Sequence, residues 1–172
     1  YAAAIAERTA LLLRVHPSNF RIQGFTDRPT IDELVSLGKR FNITVAEDLG
    51  SGYLGNDTDS QNQQLDEPTI RKSVAVGTDV ICFSADKLLG GPQAGILVGQ
   101  SEKIECIRAH PLMRALRVDK LTYAALGATL QEHAAGQAHV TVPVSIMLST
   151  PVEEIEKRAR TVVDAFENRN AR

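Results

Sequence analysis

The stretch Phe83-Ser84-Ala85-Asp86-Lys87-Leu88-Leu89-Gly90-Gly91-Pro92-Gln93-Ala94-Gly95 decides how the rest of the chain is read. It is entered from Asp79-Val80-Ile81-Cys82-Phe83 and left through Ile96-Leu97-Val98-Gly99, two apolar runs of the length expected of buried strands. Lys87 therefore sits at the lip between two strands, with the hydroxyl of Ser84 before it and Gly90 and Gly91 after it. A lysine is expensive to place there unless it is needed. Desolvation lowers the pKa of an amine, and a neutral amine can condense with an aldehyde. The serine and the glycine amides offer hydrogen-bond donors for a phosphate. These partners suit pyridoxal phosphate, whose aldehyde and phosphate both need to be held. A hairpin carrying a surface lysine fits the same spacing, and spacing alone does not choose between the two.

Outward from this stretch, the chain alternates between strand and helix patterns. Residues 1–10 favour helix by propensity. Leu11 to Val15 reads as a buried strand, and His16 to Phe25 is a polar segment punctuated by proline and glycine. Thr30-Ile31-Asp32-Glu33 has the form of a capping box, followed by an apolar stripe of Ile31, Leu34, Val35 and Leu37, with Gly38 near the helix end. Ile43 to Ala46 is the next strand, with Glu47 to Gly52 at its carboxyl lip; if the strand persists, Glu47 and Asp48 point to opposite faces. Asn56 to Glu67 is polar and aperiodic, as a surface loop would be. Pro68 to Val76 reads as a helix opened by proline and closed by Gly77.

Downstream, helices are expected over Ser101 to Ala109 and Asp119 to Ala135, the latter with Leu121, Ala124, Ala125, Ala128 and Leu130 on its apolar face. Pro111 to Val118 is a basic apolar segment and Val142 to Leu148 a short apolar one. Thr150-Pro151-Val152-Glu153 has the form of a cap opening a charged helix to about Asn168. The alternation argues for an α/β fold built on a mostly parallel sheet. In such sheets ligands collect beyond the carboxyl ends of the strands. Three polar clusters fall at such ends: His16 to Asn19, Asp48 to Gly52, and Ser84 to Lys87.

Composition narrows the function classes. The chain has 172 residues, 43% hydrophobic and 23% charged, enough apolar side chains for the core of one domain. A net charge of -2 gives no general electrostatic reason to bind nucleic acid. Cys82 and Cys106 are too far apart for a zinc or redox motif and read as reduced structural thiols of an intracellular protein. No apolar run reaches the length of a membrane span and no signal peptide is visible, so a cytoplasmic location is expected. The chain opens on Tyr1 rather than methionine, which leads us to expect a piece of a longer protein.

The lysine stretch closely resembles the lysine motif of bacterial selenocysteine synthases, the L-seryl-tRNA(Sec) selenium transferases. Three further stretches agree in the same order: Val15-His16-Pro17-Ser18-Asn19-Phe20-Arg21-Ile22, Asp48-Leu49-Gly50-Ser51-Gly52 and Arg114-Ala115-Leu116-Arg117-Val118-Asp119-Lys120. The resemblance implies an aspartate-aminotransferase-like, fold type I pyridoxal-phosphate transferase. Residues 1–140 would be the second half of the cofactor-binding large domain, and 141–172 a connecting segment with the first helix of the small domain. It implies Lys87 and Asp48 as catalytic residues: Lys87 would carry the cofactor and act as base at Cα, and Asp48 would face the pyridine nitrogen. Ser84 would bond the phosphate. His16 would lie over the ring or orient substrate, with Ser18 and Asn19 close to substrate. Arg114 and Arg117, at i and i+3, would hold the selenophosphate anion from one face of a helical turn.

The reaction implied is β-replacement on seryl-tRNA(Sec): loss of the α-proton, elimination of the β-hydroxyl as water, and addition of selenium from selenophosphate. Family members form ring-like homo-oligomers with sites at subunit interfaces. Their tRNA-gripping domain and glycine-rich phosphate loop have no counterpart in these 172 residues. Pro17 stands where threonine is expected, and Ala85 where glycine is. Two other classes stay open: a relative acting on a small amino acid or sugar acid, such as an ammonia lyase, and a fragment without catalytic activity.

Overall fold

The computed structural model describes residues 1–20, 22–55 and 67–170. Among these residues, four strands form one sheet in the order β1 (Leu11–Val15), β2 (Thr44–Gly50), β3 (Val80–Ser84), β4 (Gly95–Gly99). β1 and β2 are parallel, as are β2 and β3, whereas β3 and β4 run antiparallel, Ser84 facing Gly95. The lysine stretch is thus both a lysine-bearing strand lip and the connection of an antiparallel pair, so the two readings of its spacing are compatible.

Helices α1 (Ile31–Phe41) and α2 (Ile70–Val76) return the chain between the parallel strands. At the start of α1 the expected capping box is complete: Thr30 Oγ1 accepts the Glu33 amide at 3.2 Å and the Glu33 carboxylate accepts the Thr30 amide at 2.7 Å. Ile31, Leu34 and Val35 bury against Leu12 and Val45, each such side chain contributing about 1.5–3 kcal/mol by leaving water. Gly38 lies inside α1 rather than closing it; Asn42, in the left-handed region at φ 54°, is the cap. A Cβ on Gly38 would lie 2.4 Å from Val45 Cγ2, so the glycine sets how closely α1 approaches β2. α2 opens two residues later than expected, at Ile70 rather than Pro68. Thr69 caps it, its hydroxyl accepting the Lys72 amide, and Pro68 precedes the cap. Ile70 joins Leu49, Ile81, Phe83, Ala85 and Leu89 in a second core cluster.

Among the described residues, six helices follow β4: α3 (Ser101–Ala109), α4 (Met113–Leu116), α5 (Lys120–Ala134), α6 (Ala138–Thr141), α7 (Pro143–Ser149) and α8 (Val152–Asn170). Three expectations are corrected here. Residues 1–10 form only a short 3-10 turn at Ala2–Ala4; the Tyr1 hydroxyl donates to the Leu13 carbonyl and Ile5 packs on the α1 cluster, anchors that outweigh the small propensity of a short helix. On α5 the supposed apolar face, Leu121 to Leu130, is exposed. The inward positions include Leu126, packed on the second cluster, and His133, whose Nε2 is 2.8 Å from the Leu89 carbonyl. Val142 to Leu148 contains helix α7. Thr150 does not serve as the expected cap of α8: its hydroxyl donates back to the Ile146 carbonyl at 2.7 Å. The expected loop from Asn56 lies outside the described residues as far as residue 66.

Candidate active site

β2 runs further than its apolar run implies, through Glu47 and Asp48 to Gly50. The pleat then sends the two carboxylates to opposite faces, as expected. Glu47, fully buried, pairs with Arg14 and accepts the Ser73 hydroxyl on the face covered by α1 and α2. Asp48 lies on the other face beside Cys82, its register partner on β3. Past Asp48 the β2–β3 register shifts, a bulge of the kind found next to active sites because it re-aims the side chains around it.

Gly50 is where the strand ends meet. Its amide donates to Asp48 Oδ1 at 3.0 Å. A Cβ placed on it would lie 3.0 Å from Ser18 Oγ and 3.9 Å from Lys87 Nζ. Glycine is required here twice over, by that close approach and by φ of 67°. The Lys87 turn is held from both sides. Ala85 and Leu89 are fully buried, the Leu88 amide donates to the Ser51 carbonyl at 2.9 Å, and the Gly91 amide donates to the Ala85 carbonyl at 2.8 Å. The methyl group of Ala85, where glycine was expected, fits within that core.

Asp48, Cys82, Ser84, Gly95, Arg108 and Arg117 line a cavity of about 620 Å³ with apolar walls from α3, α4 and α5. Burial pushes the Cys82 thiol up to about 11, and the charge of Asp48, to which the thiol donates, adds to the rise. Of the residues singled out in the sequence, Asp48, Lys87 and Ser18 gather at Gly50, and Ser84 and Arg117 share the cavity with Asp48. His16 is tied to Asp48 by its amide, 2.8 Å from the Asp48 carbonyl, and by its Nε2 to Glu67 at 3.2 Å. Asn19 is exposed. Arg114 and Arg117 do not share a helical face: α4 ends at Leu116, Arg117 is extended, and Arg114 does not line the cavity. Arg108 lines it instead, and no sequence signal separated it from the other exposed arginines. Sequence reading also passed over Ser51 and Glu67, which are hydrogen-bonded at 2.9 Å behind the lysine turn.

The family model and the curated relatives agree on one family. That described as L-seryl-tRNA selenium transferase (SelA) matches residues 1–172. The L-seryl-tRNA(Sec) selenium transferase of Alkaliphilus metalliredigens is 48% identical over 161 residues, covering 92% of this chain and 34% of that protein. The chain spans about a third of the length of the curated relatives it matches. Among solved structures, D-glucosaminate-6-phosphate ammonia-lyase is similar with a TM-score of 0.58 at 23% identity, covering 81% of this chain and 34% of that one. Serine palmitoyltransferase from S. paucimobilis with a bound pyridoxal phosphate–myriocin aldimine is similar with a TM-score of 0.50 at 14% identity, covering 76% and 32%. The sheet is accordingly that of a fold type I pyridoxal-phosphate enzyme, α/β and mostly parallel. By its match along the whole sequence and its identity to these transferases, the chain belongs to the L-seryl-tRNA selenium transferase family.

Proposed function

We propose that this chain is the part of an L-seryl-tRNA(Sec) selenium transferase that holds pyridoxal phosphate and carries out the replacement of the seryl hydroxyl by selenium. Residues 1–140 are then the second half of the large domain and 141–172 lead into the small one. The observation that carries the reading is the meeting at Gly50 of the Asp48 carboxylate and the Lys87 amine, on adjacent strand ends. The residues present fit the cofactor. Lys87 Nζ is an amine for the aldehyde, Gly50 is a floor without a side chain, Asp48 is a carboxylate for the ring nitrogen, and Ser84 is a hydroxyl for the phosphate.

When bound, pyridoxal phosphate supplies an electron sink for the pair left as the substrate's α-proton departs. Lys87 Nζ would hold the cofactor aldehyde, and as a free amine it would be the base for the proton on the substrate Cα. Asp48 holds a proton on the ring nitrogen by its charge, and the Gly50 amide orients that carboxylate. The seryl Oγ would depart as water with the proton that Lys87 Nζ took from Cα, and selenium would take its place on Cβ, water cleaving the Se–P bond of selenophosphate to release phosphate. Arg117 binds the selenophosphate oxygens, joined by Arg108 across the same cavity, since guanidinium groups match oxyanions. Family membership supports seryl-tRNA(Sec) and selenophosphate as substrates and a cytoplasmic homo-oligomer as the working form.

The test uses the full-length enzyme. After loading with pyridoxal phosphate and borohydride reduction, peptide mapping is expected to find the label on Lys87, and Lys87→Ala to lose it along with activity. A label on Lys72, Lys103 or Lys120 would overturn the assignment. Deamination of an amino sugar acid without any reaction on seryl-tRNA would move the reading to a lyase.

A further inference from the structure

Glu67 ends the polar stretch before α2, and nothing in its sequence setting singles it out. In the fold, one of its oxygens holds two strand ends together. Glu67 Oε2 accepts the Ser51 hydroxyl at 2.9 Å and lies 3.2 Å from His16 Nε2. Ser51 is buried, and its carbonyl accepts the Leu88 amide at 2.9 Å, next to Lys87. His16 in turn gives its amide to the Asp48 carbonyl at 2.8 Å. A single carboxylate thus links the residue after β1, the residue after β2 and the turn after β3.

We infer that Glu67 is a positioning residue for the reaction, fixing the His16 imidazole at the site and bracing the Lys87 turn through Ser51; this rests on the site reading proposed above. An ionised carboxylate can only accept, so the hydrogen lies on His16 Nε2, and in the neutral ring Nδ1 is left as an acceptor. The ring is thereby held in one tautomer and one plane. Ser51 and His16 both donate to this one charged acceptor, and charge-assisted bonds are the stronger kind. A latch that merely closed the polar stretch before α2 would gain nothing from reaching His16.

The experiment is run on the full-length enzyme with Glu67→Ala, Glu67→Gln, His16→Ala and the double alanine variant. Glu67→Ala is expected to keep borohydride labelling at Lys87 while lowering kcat about tenfold or more, the loss expected of a hydrogen bond to a charged group. The visible circular dichroism band of the bound cofactor should change with it. Glu67→Gln, whose amide oxygen still accepts both hydrogens, should recover most of the loss and keep the band. The double variant should cost little more than the larger single one, because Glu67 acts through His16. Unchanged kcat and dichroism in Glu67→Ala, or fully additive losses, would overturn the inference. If Glu67→Ala does not fold, Glu67→Gln decides: a loss as deep as that of His16→Ala would show that accepting hydrogen bonds is not its role. Failure to label Lys87 in the unmodified enzyme would instead overturn the site reading itself.

Discussion

Glu47 and Asp48 are neighbours on one strand and have opposite surroundings. Glu47 is sealed on the covered face, with Arg14 and Ser73 matched to its oxygens. Asp48 opens onto a cavity whose walls are mostly apolar and whose charged members are the arginines Arg108 and Arg117. Two carboxylates one residue apart thus sort into a structural part and a chemical part by the pleat alone. A buried pair with full partners stabilises little over an apolar substitute but is costly to break, whereas a half-open carboxylate is available to a ligand.

The comparison can be broken most severely on the covered face. Glu47→Ala leaves Arg14 beside an empty buried site and should destabilise the full-length enzyme by about 3–5 kcal/mol, read from thermal or urea unfolding. A loss below about 1 kcal/mol would mean that Arg14 finds water instead. Asp48→Asn should do the reverse, keeping stability while lowering activity on the order of a hundredfold, the scale of one preorganised electrostatic partner.

The same Asp48→Asn change tests the thiol. Cys82 is raised from 9.0 to about 11, by burial first and by Asp48 second, so removing the charge should bring it part of the way down and speed its alkylation at a given alkaline pH. In the unmodified protein the raised value contributes stability that is present below the unfolded thiol's pKa and lost as pH rises through about 11. The smallest effect is expected at the arginines. Arg117→Ala should weaken selenophosphate use about tenfold, and Arg114→Ala by less, since only the former lines the cavity with Asp48. Equal losses would mean that Arg114 turns into the site in the complete assembly.

Much of the framework was legible because its signals are local. The capping box at Thr30 and Glu33, the apolar runs of β1 and β3, and the lysine stretch need only neighbouring residues to be read. The parts that were not legible depend on tertiary partners. β2 continues through two carboxylates because Arg14, Ser73 and Gly50 satisfy them, which no apolar pattern announces. The alanine-rich face of α5 looked buried because alanine suits helices whether covered or not. Within the site, the lysine and the aspartate sit in compact motifs. Glu67, by contrast, comes from a polar stretch and matters only because folding sets it between His16 and Ser51.

The antiparallel closing of β3 on β4 bears on the order in which the site assembles during folding. Ser84 finds Gly95 across a short connection, while Leu11 must find Thr44 and Ala46 must find Val80 with a helix intervening each time. Loop-closure entropy makes the nearby pairing the faster one. The lysine turn is therefore expected to close early, as a local hairpin, with Ala85 and Leu89 turned to one side and the amine of Lys87 already at the tip. The carboxylate of Asp48 arrives only when the slower parallel strands dock. A chain caught between these two events would carry a lysine turn without its acid, which makes completion of β2 the step that turns a hairpin into a site.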